Sequence, residues 1–300
     1  MISEYRGRGL SINRILILLG IPRSSYYRKE SPLQLVRGRR ISMTTSRLTA
    51  SGIDEIGEDR LLEEITDLLG REFVCYGYKK VTKHLQRSGY RINRKKVFRL
   101  MKEKHLLNHT YNYRSPARRV VESIVRVDAP NTVWEMDIKY IYLQGENRTA
   151  YLFAIMDCFT REVVGKYLGY HCTSYDVKMA MDFAFLDRGV HAISGVRIRS
   201  DNGTQFVSRM VELFLSSQSI EHERIHPATP KEDAHIESFN SILEKEVIGR
   251  FEFSSFEDAM GTIFRFIEFY NNERLHSAID YRAPREVYEE WKENLIEGSA

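Results

Sequence analysis

The feature that most limits the fold is a change of hydrophobic period at Asn131. Beyond it, Trp134, Met136, Ile138 and Tyr140 alternate with Glu135, Asp137 and Lys139, the two-residue repeat of a half-buried strand. Gly145-Glu146-Asn147 reads as a turn, Tyr151 to Met156 as a short apolar central strand, and Val163 to Tyr170 as a third strand. Three consecutive strands with short connections make an antiparallel meander. The pattern then predicts a helix over 174–185, a strand over 195–198, a helix over 209–217 and a strand over 221–226. A proline-containing loop leads to Asp233, which opens a helix with Ile236, Phe239, Ile242 and Leu243 inward. A long apolar helix follows over 256–270. Strands followed by alternating helices and strands give an α/β fold.

Before Asn131 the period is helical. Ser11 is placed to cap a helix carrying Ile12, Ile15, Leu16 and Leu19. Gly20 ends it, and Pro22-Arg23-Ser24-Ser25 opens a short second helix through Tyr26 and Tyr27. Residues 31–57, rich in Arg, Ser, Thr and Gly, read as a linker. Three helices follow, near 59–70, 78–87 and from Asn93 onward, with Gly89 ending the middle one. The last buries Val97, Leu100 and Met101 and turns Arg94, Lys95, Lys96, Arg99 and Lys102 outward. That is a helix-turn-helix pattern with a basic final helix suited to phosphates or base edges in a major groove. A solvated basic helix is the alternative. Residues 106–131 read as a connector ending at Pro130.

Charge divides the chain in the same place. Residues 1–128 carry +14 and residues 129–300 carry −10, for a net +4. The window 79–119 holds 14 basic residues against one acid, Glu103. A basic front half suits a polyanion and an acidic back half suits cations, although two unrelated solvated faces would give the same sums. The longest apolar run, Ile15 to Ile21, falls far short of the roughly 20 residues of a membrane helix. No leader is visible at Met1. Cys75, Cys158 and Cys172 are odd in number and widely spaced, which fits a reducing compartment and neither a disulfide framework nor a cysteine-based zinc site.

Three acids stand where acids are uncommon. Asp137 lies inside a strand, where Asp is depleted. Asp201 follows the strand Val196-Arg197-Ile198 and opens Asp201-Asn202-Gly203-Thr204. Glu237 lies in the first turns of a helix, between Ile236 and Phe239. Singly, each has an ordinary reading: the polar side of an edge strand, a turn residue, an exposed helical Glu.

Together they form a recognisable pattern. Thirty-five residues separate Asp201 from Glu237, and Asp137 lies on the first strand. This resembles the DD(35)E core of retroviral integrases and their bacterial relatives. Trp134-x-x-Asp137, Arg199-Ser200-Asp201-Asn202-Gly203-Thr204-Gln205-Phe206, Ala234-His235-Ile236-Glu237-Ser238-Phe239-Asn240, Tyr270-Asn271-Asn272-x-Arg274-x-His276-Ser277 and Tyr281-x-x-Pro284 extend the likeness. In the front half Tyr76-Gly77-Tyr78-Lys79-Lys80-Val81 through Arg99-Leu100-Met101, and Leu19-Gly20-Ile21-x-Arg23-Ser24-Ser25-Tyr26-Tyr27, extend it further. The whole is similar to the second-frame (OrfB-type) transposases of insertion-sequence family three.

That resemblance implies an RNase H-like catalytic domain, a mixed sheet flanked by helices, preceded by helix-turn-helix DNA-binding segments. Its implied parts are a helical segment over 1–30, a linker over 31–57, a helix-turn-helix domain over 58–106, a basic linker over 107–130, the catalytic core over 131–250 and a helical extension over 251–300. Asp137, Asp201 and Glu237 are implied to be both catalytic and metal-binding. Three converging carboxylates repel one another unless hard divalent cations neutralise them, and an all-oxygen set suits Mg²⁺, with Mn²⁺ as a substitute. Two such ions serve in-line phosphoryl transfer. The implied reaction is cleavage of one strand at an element end, then attack by the freed 3′-hydroxyl. The implied partners are the terminal inverted repeats, target DNA, further copies of the chain on paired ends, and an upstream-frame helix-turn-helix protein, in the bacterial cytoplasm at the nucleoid and not at a membrane.

The family pattern places a basic residue seven positions after the catalytic Glu. Here that position is Glu244, with Lys245 next. On an α-helix Glu244 would share the face of Glu237 and Lys245 would sit about 80° round, leaning its long stem toward bound DNA. Asn202 and Gly203 are expected to shape the turn beside Asp201. Asp157, at the end of a strand, is the spare acid should Asp137 not serve, and is expected to be structural or to support the catalytic acids from behind, and His226 and His235 to be packing residues more than proton shuttles or phosphate contacts. His105 and His109 have zinc-like spacing without a Cys-x₂-Cys partner, which argues against zinc. Two other functions share many of these features: a metal-dependent nuclease that cuts without joining, and a DNA-binding regulator with unused acids.

Overall fold

The computed structural model describes residues 2–7, 11–21, 26, 43–108, 127–189, 195–224 and 234–297. The chain divides into two compact units, Met1–Thr44 and Thr45–Ala300. The first contains α1 (Ile2–Gly7), which the sequence reading did not anticipate, and α2 (Ile12–Leu18), which buries Ile15 and Leu16. Ser11 precedes α2 in an extended conformation, but its side chain makes no cap bond; its carbonyl accepts from Arg14 and Ile15 instead. Of the second short helix expected here, only Tyr26 lies within the described residues.

A hairpin follows, β1 (Thr44–Thr49) and β2 (Gly52–Gly57), nearly all of it in the second unit. This corrects the linker reading of that stretch. Its polar, threonine-rich strands lack an apolar stripe because the hairpin is pinned by backbone bonds: Leu48 N–H donates to the Gly89 carbonyl and Arg91 N–H to Ser46, both at 2.9 Å. Gly89 has φ +90°, and a Cβ there would lie 2.4 Å from the Leu48 oxygen. The helix-turn-helix pattern holds in α3 (Glu58–Gly70), α4 (Tyr78–Arg87) and α5 (Arg94–Glu103). Leu61, Ile65, Val81, Leu85, Val97, Leu100 and Met101 form their shared core. Asn93 caps α5 by accepting from the amides of Lys95 and Lys96 at 3.0 Å.

Next comes a five-stranded sheet. Its strands are β3 (Val133–Leu143), β4 (Arg148–Asp157), β5 (Val163–Gly169), β6 (Arg197–Ser200) and β7 (Glu221–Arg224), in the order β5-β4-β3-β6-β7. The first three form the expected antiparallel meander; β6 and β7 are parallel to β3. One face packs on α6 (Ser174–Arg188) and α7 (Arg209–Ser217) through Trp134, Met136, Phe153, Ile155, Met181 and Val211. The other packs on α8 (Ala234–Leu243) and α9 (Phe256–Asn272) through Ile141, Leu152, Phe239, Ile263 and Phe266. This mixed sheet with helices on both faces is the α/β, RNase H-like arrangement expected.

β3 is therefore central, not half-exposed as its alternation suggested. Its polar face is covered by α8, and Glu135 is 1% exposed. Only its distal end, at Tyr140 and Tyr142, is open to solvent. A last helix, α10 (Pro284–Glu297), packs on α9. The helix-turn-helix segment rests on this C-terminal region. Phe73 joins the core beside Phe266 and Phe269, and the Tyr76 hydroxyl accepts from Leu275 N–H at 2.9 Å. No described helix is long and apolar enough to cross a membrane.

The β3–β4 turn is tied down at three points. Phe253 N–H donates to Gln144 Oε1 at 2.9 Å, Gly145 N–H to the Phe253 carbonyl at 3.0 Å and Phe256 N–H to Glu146 Oε1 at 2.6 Å. A Cβ on Gly145 would lie 2.0 Å from the Ser254 oxygen, whereas one on Gly70 meets nothing within 4 Å. Gly145→Ala is expected to cost about 1–3 kcal/mol by overpacking against backbone. Gly70→Ala should be neutral or slightly stabilising. Urea midpoints of the two variants check this, and equal midpoints would contradict it.

Candidate active site

β3 and β6 pair in parallel with Val133 opposite Arg197, Trp134 opposite Ile198 and Glu135 opposite Arg199. Continued two residues past the last paired residues, the same register sets Asp137 abreast of Asp201, and the charge of Asp201 acts on Asp137. Asp137 is half-buried, while Asp201 is exposed just past the carboxyl end of β6. The Asp201 carboxylate accepts from Gly203 N–H at 2.9 Å, an Asx turn just past the strand. Helix α8 crosses the same side of β3, and Asn240 Nδ2 donates to Asp137 Oδ2 at 2.7 Å. Glu237, exposed, lies three residues before Asn240 and so on the same helical face. Strand pairing and helix packing thus bring three separate segments to one place. Burial, together with the negative charge of Asp201, raises the Asp137 pKa above the usual carboxylate range, although Ile138 N–H, Asn240 and Lys139 oppose it.

Beneath these acids lies a group that the sequence reading missed. Glu135, on the same face of β3 as Asp137, accepts from the amides of His235 (3.0 Å) and Ile236 (2.9 Å) and from His235 Nδ1 (2.6 Å). The Cys158 thiol also donates to it. The depletion of acids in strands that singles out Asp137 applies equally to Glu135; it was the only available signal. His235 is buried against this carboxylate, in keeping with a packing role. Asp157 is fully buried and accepts from the amides of Asn131, Phe159 and Thr160 and from the Trp134 indole, a structural role as expected. His226 and His109 lie outside the described residues.

Beyond Glu237 the helix departs from the expected geometry. Glu244–Ile248 is a π-helical turn, so the even angular step assumed for Lys245 does not apply there. Glu244 is not an unpartnered acid facing DNA: its carboxylate pairs with Lys139 Nζ at 2.8 Å. Lys245 is exposed on the π turn. Glu246, two residues after Glu244, is buried in a two-pronged pair with Arg274 at 2.8 and 2.6 Å.

The outward cations of α5 differ in their partners. Lys96 and Arg99 are bound to Glu58 of α3, whose side chain is only 10% exposed, and Arg99 reaches Glu103 as well. Burial alone would raise the Glu58 pKa; hydrogen bonds from Arg99 and Lys96 outweigh it and hold it below the usual range. These two cations brace α5 against α3. Arg94, Lys95 and Lys102 are exposed as expected, beside Phe98, which packs edge-on against Tyr78.

Known proteins share this plan. Residues 127–230 and 218–284 each match a family described as Integrase core domain, and residues 57–113 match an HTH-like domain. The Insertion element IS407 uncharacterized 31.7 kDa protein of Burkholderia multivorans is 28% identical over 78% of this chain and 80% of its own length. The Transposase for insertion sequence element IS904 of Lactococcus lactis is 28% identical over 77% of this chain and 94% of its own. Among solved structures, the HTLV-2 integrase catalytic core domain in complex with magnesium is 18% identical. That match covers 54% of this chain and 99% of that one, with a TM-score of 0.41. The two integrase-core matches together span Asp137, Asp201 and Glu237, the HTH-like match spans α3–α5, and the chain belongs to the integrase-core family, with an HTH-like domain ahead of the core and insertion-sequence transposases among its homologues.

Proposed function

We propose that Asp137, Asp201 and Glu237 are the catalytic and metal-binding residues of this DDE-type transposase, and that they hold two Mg²⁺ ions, replaceable by Mn²⁺. The observation that carries this reading is the register that sets Asp137 abreast of Asp201, with α8 bringing Glu237 to the same side through Asn240. The donor set fits the metal. All three side chains offer oxygen only, as a hard divalent cation prefers. The charge that Asp201 imposes on Asp137 is the repulsion a cation would relieve. Bound there, Mg²⁺ would supply charge neutralisation and Lewis acidity to an in-line displacement at phosphorus.

The protein's residues do the positioning. Asn240 fixes one oxygen of Asp137, and the Gly203 amide fixes Asp201. In cleavage a water oxygen bonds to phosphorus as the bond to the 3′ oxygen breaks, leaving a 3′-hydroxyl and a 5′-phosphate. In joining, that 3′-hydroxyl attacks a second phosphodiester and displaces its 3′ oxygen. One site serves both steps because only the nucleophile changes. The substrates are the element's terminal inverted repeats and target DNA, handled by an oligomer on paired ends in the bacterial cytoplasm at the nucleoid, alone or with an upstream-frame helix-turn-helix protein. Residues 58–106 bind DNA and 131–250 carry the chemistry. Arg94, Lys95 and Lys102 supply phosphate contacts on α5, with Lys245 as a further one near the acids.

Asp137→Asn, Asp201→Asn and Glu237→Gln are each expected to abolish cleavage and strand transfer on element-end DNA while leaving its binding nearly intact. Strand transfer at wild-type rate by any one of them removes that residue from the site. On α5 the structure divides the basic residues into two classes. Replacing Arg94, Lys95 and Lys102 by Ala should lower the log–log salt slope of binding by up to about 2.7, at about 0.9 per lost phosphate contact, without changing the melting temperature. Lys96→Ala or Arg99→Ala should instead cost about 1–2 kcal/mol of stability by stripping Glu58 of a partner. Salt titrations and thermal melts separate the classes; a reversed pattern would contradict the assignment.

A further inference from the structure

Glu135 is an ionisable side chain shut inside the fold, 1% exposed, on the strand that carries Asp137 and two residues before it. Its partners are specific. Oε2 takes the backbone N–H groups of His235 and Ile236, in the first turn of α8, and Oε1 takes His235 Nδ1 at 2.6 Å. First-turn amides have no partner within their own helix and are usually capped by a neighbouring side chain. Here the acceptor comes from a strand 100 positions away.

One turn further along α8, Asn240 reaches Asp137 on that same strand. Glu237 lies between the two attachments. A helix fastened at two points a turn apart can neither slide along the sheet nor rotate, so the backbone that carries Glu237 between them is fixed relative to β3. We propose that Glu135 is a positioning residue: by tying the start of α8 to β3 it sets where Glu237 stands relative to Asp137. This rests on the assignment of those two acids as metal ligands.

The Glu135, Cys158 and His235 ligand atoms lie within 4.8 Å of one another, the spacing of a possible metal site. Glu135 and His235 already bond to each other, and both Glu135 oxygens are engaged with the protein. A clamp accounts for the arrangement without an ion.

The test uses the full-length chain and Mn²⁺ as the probe. Glu135→Gln keeps the side-chain shape while removing its charge and one acceptor oxygen. The expected result is amide exchange over 235–240 faster by about tenfold or more, with exchange in β3 and β4 unchanged. Mn²⁺ binding should weaken by roughly tenfold, the size of loss seen when groups supporting metal ligands are removed, with element-end DNA affinity unchanged. Wild-type exchange rates or wild-type Mn²⁺ affinity in this variant would overturn the proposal. So would purification of the wild-type chain with one zinc ion that Glu135→Gln lacks, since the cluster would then be a metal site. If Glu135→Gln does not fold, the wild-type protein still decides: the amides of His235 and Ile236 must be protected like those of β3, and exchange at loop rates would overturn the clamp. Asp137→Asn separates this proposal from the reading beneath it. Full Mn²⁺ affinity in Asp137→Asn would sink the site assignment. Lost affinity there, with full affinity in Glu135→Gln, sinks the clamp alone.

Discussion

The site depends on the parallel pairing of β3 with β6. An antiparallel partner would carry Asp201 to the opposite end of β3. The parallel register, Val133 with Arg197 through Glu135 with Arg199, delivers it beside Asp137. Parallel neighbours need a crossover, here by way of β4, β5 and α6, and that connection explains why some 60 residues of chain lie between the two acids. A shift of one residue would turn Asp137 to the face packed by Trp134, Met136 and α6, so the apolar pattern of β3 and the position of its acid are one constraint.

The interior acids differ from Asp137 in the partners that meet them. Asp157 accepts from three amides and an indole. Glu162 is met by Arg188 and by Arg285 at 2.7 Å, and Glu246 by two prongs of Arg274. Each of these has several donors or a guanidinium set against the cost of its burial. Asp137 instead faces the like charge of Asp201, against which stand one side-chain amide, the Ile138 N–H and the Lys139 charge, and its pKa is still raised. That imbalance is tolerable in a site that takes up cations.

Much of this was legible in the sequence because it rests on periodicity. The helices over 58–70, 78–87 and 209–217 and the meander follow from local apolar spacing, which tertiary packing reinforces. What sequence could not supply depended on distant partners. The β1–β2 hairpin has polar strands and is held by the backbone of Ser46, Leu48, Gly89 and Arg91. Lys96 and Arg99 read as outward cations without a partner until Glu58, some forty residues earlier, is seen paired with both. Glu244 looks like a misplaced charge until Lys139 is found against it. The Tyr270-Asn271-Asn272-x-Arg274 segment, noticed for its likeness to a family, proves to be a fastening. Asn271 bonds both backbone groups of Val163 at 2.9 Å, and Arg274 holds Glu246.

The central claim is that three acids from three segments form one cation site. Anomalous diffraction from crystals of the full chain grown with element-end DNA and Mn²⁺ tests it most directly. Manganese peaks within ligand distance of Asp137, Asp201 and Glu237 together, at about 2.0–2.3 Å as hard cations bind oxygen, are the predicted result. Manganese bound elsewhere, with Glu237 turned away from Asp137 and Asp201, would contradict it.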